Sequence, residues 1–372
     1  MTKAAELAKM GEVLTNSQIG GRRNIIINGA MQVAQRGTSS TDSGFGTVDR
    51  FSTSRGTVTA TQSQETLASG DTPYSLGFRK YLRITNTGTT SATNSYIAIR
   101  HRIEAQNIAM SGWNYTSTSS DITISFWVRS SLAGTYYMSL RSDDGTAQNY
   151  TIPVVLSANT WTKIIKTVSG DSGISIDNDN GIGLDVIMWA HLGTDYTTSS
   201  HTSNQWNTYS GTDQAPDYSQ NWNNTSSATF DYTGIQLEVG SQATPFEHRS
   251  FGEERNLCYR YYYRHASDGS NQNMLGVGYV DSSTSAVVQI VPPVSMRADP
   301  TAIETTGTAS NYGVRQGSGV DVACNSTPSI SGDSTSNVFV VNLSVASGLT
   351  ANSACLGRAV LSGVHLSFTS EL

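Results

Sequence analysis

The chain has 372 residues, only 14% of them charged, with a net charge of −6 and no run of lysine or arginine, so counterion release has little to act on and nucleic acid is not expected as a partner. No stretch approaches the roughly 20 apolar residues that span a bilayer, and the first residues carry frequent charges without an apolar core, so neither membrane insertion nor a cleaved export signal is expected. Three cysteines, Cys258, Cys324 and Cys355, are too few and too oddly numbered for a disulfide framework, and plentiful Gly, Ser, Thr and Asn suit short strands joined by polar turns.

Residues 3–15 are the best helical candidate, with Leu7, Met10 and Leu14 at i, i+3 and i+7. A helix of about a dozen residues is marginal alone, so its stripe must pack on its own domain, on copies of itself or on another protein. After Gly20-Gly21, the strand candidates are 25–27, 51–53, 81–85, 96–103, 122–129, 135–141, 150–156, 160–167, 184–192 and 229–239. Such regular short strands argue for a sandwich. Asp144-Gly145 is a hairpin-turn candidate, because glycine supplies positive φ at no steric cost.

In the stretch 234–263, Ile235, Leu237 and Val239 alternate with Gln236 and Glu238, the period of a strand buried on one face. Gly240 and Pro245 end it, and an aromatic-rich helix follows, with Glu253 and Glu254 in the first turn, where the helix dipole favours anions. After a polar linker at 268–273, residues 274–372 read as a smaller β domain with strands at 274–280, 286–291, 338–345 and 359–369. Its runs VVQIV and VFVVNLSV are expected to be buried on both sides or covered by a neighbouring subunit.

No nucleophile elbow, phosphate loop, zinc motif or catalytic acid pair stands in the sequence, and the six histidines show no ligand spacing, so no enzyme is expected. Adjacent carboxylates such as Asp143 with Asp144 would point apart on a strand. Asp177-Asn178-Asp179-Asn180-Gly181 has the composition of a calcium loop but not EF-hand spacing, and reads better as a solvated turn.

The sharper signal is the irregular segment 193–228. Here Tyr196, Trp206, Tyr209, Tyr218 and Trp222, with Tyr232 just beyond, stand among amides, hydroxyls and carboxylates. Flat rings and planar polar groups are the ingredients of sugar recognition. Trp206, Tyr209, Tyr218 and Trp222 are the glycan-contact candidates, against the reading that the loop is a packing flap; Trp113 and Tyr115 form a lesser pair. Tyr259, Tyr261, Tyr262 and Tyr263 cannot all bury their rings on one helix face, so an inter-domain or inter-subunit contact is expected there.

The string GIQLEVGSQATPFEHRSFGEERNLCYRYYY resembles the hinge of bacteriophage tail-fibre and related virion proteins, in which a jelly-roll domain ends in a GxQLExG…ATPFExRSxxEE strand and turn and continues as CxRYY. The resemblance extends over most of 24–263. Asn24 to Gly37 resembles the opening strand of these domains, and Val48-Asp49-Arg50-Phe51 their aDRW motif with Phe51 in place of Trp. TISFWVRS from Thr123 and the segment around Trp161 resemble the middle of jelly-roll carbohydrate-binding modules. After Arg264 only PVSMRADP is similar to the distal domains of such proteins.

Residue pattern and resemblance together lead to the expectation of an all-β chain: an N-terminal helical anchor segment over 1–23 carrying Leu7, Met10 and Leu14, a jelly-roll domain over 24–250 whose carbohydrate-module character the resemblance implies, an aromatic helix and linker over 251–273, and a C-terminal β domain over 274–372. The expected function is that of a virion structural protein, a homotrimeric tail fibre or receptor-binding protein that meets other virion proteins and a host-surface polysaccharide, assembled in the host cytoplasm and released by lysis. The alternative is a capsid decoration or appendage protein, and a free glycan-binding or depolymerising enzyme is less expected. No cofactor is expected; the resemblance implies a structural calcium without placing it.

Overall fold

The structure is a computed structural model that describes residues 23–266, 273–317, 319–361 and 363–372, together with Lys3. The anchor residues Leu7, Met10 and Leu14 lie outside the described residues. The chain forms two compact units, a first ending at Glu254 that also takes Leu372, and a second from Arg255 to Glu371.

The first unit contains β1 (Ser39–Ser40), β2 (Ser52–Gly56), β3 (Thr59–Thr66), β4 (Lys80–Gly88), β5 (Tyr96–Glu104), the short helix α1 (Ala105–Ala109), β6 (Asp121–Ser130), β7 (Gly134–Ser142), β8 (Gln148–Leu156), β9 (Thr162–Ser169), β10 (Ile182–Leu192), β11 (Trp206–Thr208) and β12 (Thr229–Val239). They make two antiparallel six-stranded sheets, sheet one in the order β1-β3-β4-β12-β6-β9 and sheet two in the order β11-β8-β7-β10-β5-β2. β12 lies between β4 and β6, and β10 between β7 and β5, the wrapped connectivity of a jelly roll. Alternate residues of both sheets point inward, among them Leu82, Ile124, Phe126 and Phe230 of sheet one and Ile99, Met138, Ile152 and Met188 of sheet two, forming one core. The fold is thus an all-β sandwich, as the strand spacing implies.

Several expectations need correction. β3 was not anticipated, because TATQSQET lacks an apolar period; it forms because β4 pairs it along its whole length. Residues 25–27 run beside β12 without joining a ladder: the Ile25 amide donates to the Leu237 carbonyl at 2.9 Å and the Ile235 amide to that of Gly29 at 3.0 Å. The Asp144-Gly145 turn joins β7 and β8 as expected, with Gly145 at φ +61°. Inside β12 a register shift falls between Thr233 and Gln236. There Gly234 sits at φ +65°, and a Cβ would come within 2.8 Å of the Phe78 ring, so both backbone and space require glycine.

The polar residues of the 236–254 motif fasten the end of this unit to its beginning. Glu238 accepts from the Gln236 side chain at 2.8 Å and from the Thr244 amide at 2.9 Å, which closes the turn. Glu247 accepts the Asn24 amide at 2.8 Å, the Arg249 guanidinium donates to the Ile26 carbonyl at 3.1 Å, and Glu254 accepts the Asn28 amide at 2.6 Å. Ser250 and Glu253 make a reciprocal capping box, with the Ser250 amide donating to Glu253 at 2.9 Å and the Glu253 amide to the Ser250 hydroxyl at 3.3 Å, which starts helix α2 (Phe251–Tyr259).

The second unit continues with β13 (Tyr262–Ala266), β14 (Asn273–Ser282), β15 (Ser285–Ile290), β16 (Ile303–Thr305), β17 (Tyr312–Gln316), β18 (Val322–Ala323), β19 (Ser329–Ile330), β20 (Phe339–Ser344), β21 (Ala354–Ala359) and β22 (His365–Thr369). They form a seven-stranded sheet, β18-β17-β21-β14-β15-β20-β19, and a three-stranded sheet, β13-β22-β16. Its core includes Val288, Val341, Leu343 and Leu366, with Phe339 and Phe368 stacked at 4.1 Å. The strand expected at 359–369 is two strands, β21 and β22. The VVQIV and VFVVNLSV runs bury one face only, in strict alternation, which corrects the expectation of burial on both sides.

The tyrosine run is likewise not one aromatic helix. Tyr259 ends α2, Tyr261 lies in the turn, and Tyr262 and Tyr263 belong to β13, so the change of backbone resolves the crowding that a continuous helix would impose. The Tyr262 hydroxyl donates to Glu304 at 2.9 Å, and the Tyr263 ring stacks toward Phe368 at 6.5 Å. Tyr261 and Tyr262 are each 1% exposed, while Tyr263 is half-buried.

Candidate functional site

The loop 193–228 places the four glycan candidates in four different environments. Trp222 is fully buried in the main core; its Nε1 donates to the Thr229 carbonyl at 3.3 Å. The Asn86 amide holds the carbonyls of Trp222, Asn223 and Thr225 at 3.0 to 3.1 Å. Trp222 is therefore a packing residue and leaves the candidate set. Tyr218 lies over sheet two with its ring 5.0 Å from that of Tyr137 and 5.5 Å from His191, and its hydroxyl donates to the Trp189 carbonyl at 3.3 Å. Burial pushes that phenol well above its ordinary pKa.

Trp206 closes an edge of the sandwich. On β11 it packs against Tyr150 of β8 at 5.4 Å, while its Nε1 donates to the Ser169 carbonyl of β9 at 2.8 Å, so one indole bridges the two sheets. Trp113 and Tyr115 also serve packing: the Trp113 indole donates to the Ser120 carbonyl at 3.1 Å and the Tyr115 hydroxyl to that of Ile176 at 3.2 Å. Tyr232 is core.

Tyr209 alone stands beside a concentration of charge. Its half-buried ring lies 4.8 Å from the Arg141 guanidinium. The register of sheet two sets Asp185 of β10 opposite Arg141 of β7 on one side and Arg102 of β5 on the other. Asp185 is fully buried, and burying a lone carboxylate is costly. Here Arg100 donates to it, with Arg141 at 3.6 Å and Arg102 at 3.7 Å. Arg141 also donates to Asp143 at 3.0 Å, and Arg102 to the Leu372 main-chain oxygen.

Burial pushes the Asp143 carboxyl up, against the pull of Arg141. Burial pulls Arg141 down, but Asp143 and Asp185 outweigh it and its pKa is raised. Arg102 is lowered, by burial and then by Arg100. The result is a patch of rigid donors and acceptors next to one aromatic ring, the pattern that pairs with sugar hydroxyls. These charges were missed because they are spread over three strands distant in the chain; the available signal was charged residues inside apolar runs, as in IAIRHRIE and GLDVIMWA.

A related cluster on sheet one is roofed over. Arg83 chelates Asp231 at 2.7 and 2.9 Å, and Arg129 reaches the same carboxylate at 2.8 Å while lying 4.5 Å from the Trp161 ring. Trp161 is 8% and Tyr81 6% exposed, so these rings shield the ion pairs from solvent.

The aspartates around 177–181 close on the backbone: Asp179 accepts the Gly181 amide and Asp144 the Asp177 amide, both at 2.8 Å. Among the described residues no group of three His, Cys, Asp or Glu side chains is arranged to hold a metal ion.

No family model and no curated protein matches the sequence. Solved structures similar to it include the enzymatically active domain of tailspike protein 4 from bacteriophage CBA120, at 10% identity over 58% of this chain and 21% of that one, with a TM-score of 0.31. Another is a family 11 carbohydrate-binding module of a cellulosomal cellulase from Clostridium thermocellum, at 14% identity over 57% of this chain and 98% of that one, TM-score 0.28. A third is a putative sugar binding protein from Bacteroides thetaiotaomicron, at 12% identity over 59% of this chain and 100% of that one, TM-score 0.30. The chain thus spans about a fifth of the tailspike chain. At these scores the likenesses carry no argument about activity.

Proposed function

We propose that this chain is a non-catalytic structural protein of a bacteriophage virion, a tail fibre or receptor-binding protein that touches host-surface glycan through the outer face of sheet two. The observation that carries the glycan contact is the half-buried Tyr209 ring beside the Arg141, Asp143 and Asp185 network. The ring offers an apolar platform for the C–H face of a pyranose, and the partly exposed Arg141 and Asp143 side chains, held in place through the buried Asp185, offer hydrogen bonds to its hydroxyls. The virion assignment draws on the motif at 234–263. Its partners are then other virion proteins and further copies of itself as a homotrimer, in which several weak sites add to a strong attachment.

Purified protein titrated against immobilised envelope polysaccharide tests this reading, with Tyr209→Ala and Arg141→Ala alongside. Both variants should bind more weakly, and no reducing ends should appear on prolonged incubation. Equal binding by both variants would remove the site, and released reducing ends would make the chain an enzyme. Immunogold labelling of virions separates the tail fibre from the runner-up, since label on the head would make it a decoration protein.

A further inference from the structure

The second unit carries a groove of about 410 Å³ on the outer face of its seven-stranded sheet, and it repeats the same two chemical ingredients without charge pairing. We propose that this groove is a second saccharide-binding site, specific for uncharged sugars, with Tyr279 as its stacking ring. For the class of ligand, the proposal rests on the glycan reading given above.

Tyr279 is 54% and Val277 52% exposed, although both lie on β14 with strands on either side of it. The register places Tyr279, Val287 and Asn342 in one row across β14, β15 and β20, and Val277 opposite Gln289 in the next. Apolar and amide side chains are therefore offset on one face. Among the described residues the Gln289 and Asn342 amides make no side-chain hydrogen bond, so both keep donors and acceptors for a ligand.

A purely apolar partner would bury these amides unpaired, which is unfavourable. A sugar satisfies them through its hydroxyls while its C–H face covers Tyr279 and the valines. Among the described residues no lysine, arginine or histidine lines the groove, and Asp333 does. Acidic sugars are thereby disfavoured and hydroxyl donors preferred.

The test uses the full chain in affinity electrophoresis through gels containing dextran, mannan or galactan, with polygalacturonate as the acidic control. At least one neutral polymer should retard the protein and polygalacturonate should not. Tyr279→Ala should weaken that retardation about tenfold, the scale of one lost stacking ring. Gln289→Ala should weaken it less, and Tyr279→Phe, which keeps the ring, should retain it. Absence of retardation by every neutral polymer, or equal retardation of Tyr279→Ala, overturns the proposal.

Running Tyr209→Ala in the same gels separates the two sites. If it alone abolishes retardation, the groove is not a site and the first-unit reading stands. If Tyr279→Ala alone does, the groove stands, and the first-unit site is decided by its own titration against envelope polysaccharide. Native mass measurement of Tyr279→Ala completes the test, because a fall in oligomer mass accompanying the loss of retardation would make the face a subunit contact and overturn the proposal.

Discussion

Glu254 Oε1 accepts the backbone amide of Asn28 at 2.6 Å, across 226 residues of chain. Glu254 is 7% exposed and Asn28 fully buried, and Arg249 lies 3.3 Å from the same carboxylate oxygen. Removing the carboxylate would strand a buried amide and leave part of a guanidinium unpaired. Glu254→Ala should therefore destabilise the first unit by roughly 2–4 kcal/mol, read as a lower urea midpoint. Glu254→Gln, which keeps an acceptor, should lose less. Equal losses would mean that the ion pair, not the amide acceptor, is the stabilising element.

The two tryptophans of the loop should separate in a melting experiment. Trp222→Ala empties a fully buried site and should cost about 3–5 kcal/mol. Trp206→Ala removes a half-buried ring and one hydrogen bond, and about 1–2 kcal/mol is expected. Glycan affinity of the folded fraction should stay unchanged in Trp206→Ala. A selective loss of affinity there would return Trp206 to the binding site.

Tyr209→Ala should show the opposite balance. Its ring contributes modestly to packing, so the melting temperature should move little, while affinity for the cognate polysaccharide falls about tenfold, or ~1.4 kcal/mol. Isothermal titration beside calorimetric melting reads both quantities. A large drop in melting temperature with intact affinity would assign the ring to packing.

Stability should decline on mild acidification because of two buried histidines. Burial lowers His191 to about 4, and burial, followed by Arg50, holds His101 well below its ordinary value. Both are neutral in the folded state, whereas the unfolded chain takes up protons near pH 6.5. The contribution of each is fully present above about pH 6.5 and is lost as pH falls; for His191 the loss runs toward about pH 4 and is on the order of 2 kcal/mol between pH 7 and 5. Denaturation midpoints measured across that range should fall less steeply for His191→Phe than for the parent chain. Parallel curves would show that His191 is protonated without penalty.

The strand 229–239 was legible bound for bound, since apolar alternation and a terminal glycine mark it locally. β3 was not, because only Val58, Ala60 and Gln62 bury along that stretch and its strand state is imposed by β4. The loop composition disclosed rings among amides but not which way each ring turns: Trp222 and Tyr209 read alike in sequence and differ wholly in burial. The Arg100, Arg102, Arg141 and Asp185 cluster depends on the register of three strands, and no local pattern encodes register between strands distant in the chain.

The fastening of residues 24–28 to the 235–254 segment also governs the order in which the first unit can fold. During synthesis the opening segment emerges first and waits for partners made more than 200 residues later. Until Glu254 has left the ribosome, Asn28 lacks its acceptor, and until β12 has emerged sheet one lacks the strand between β4 and β6. Closure of so distant a contact is slow compared with local hairpins such as β7–β8. A nascent chain stalled before residue 229 should therefore display sheet edges that the finished unit never shows, and chaperone demand should concentrate in that interval.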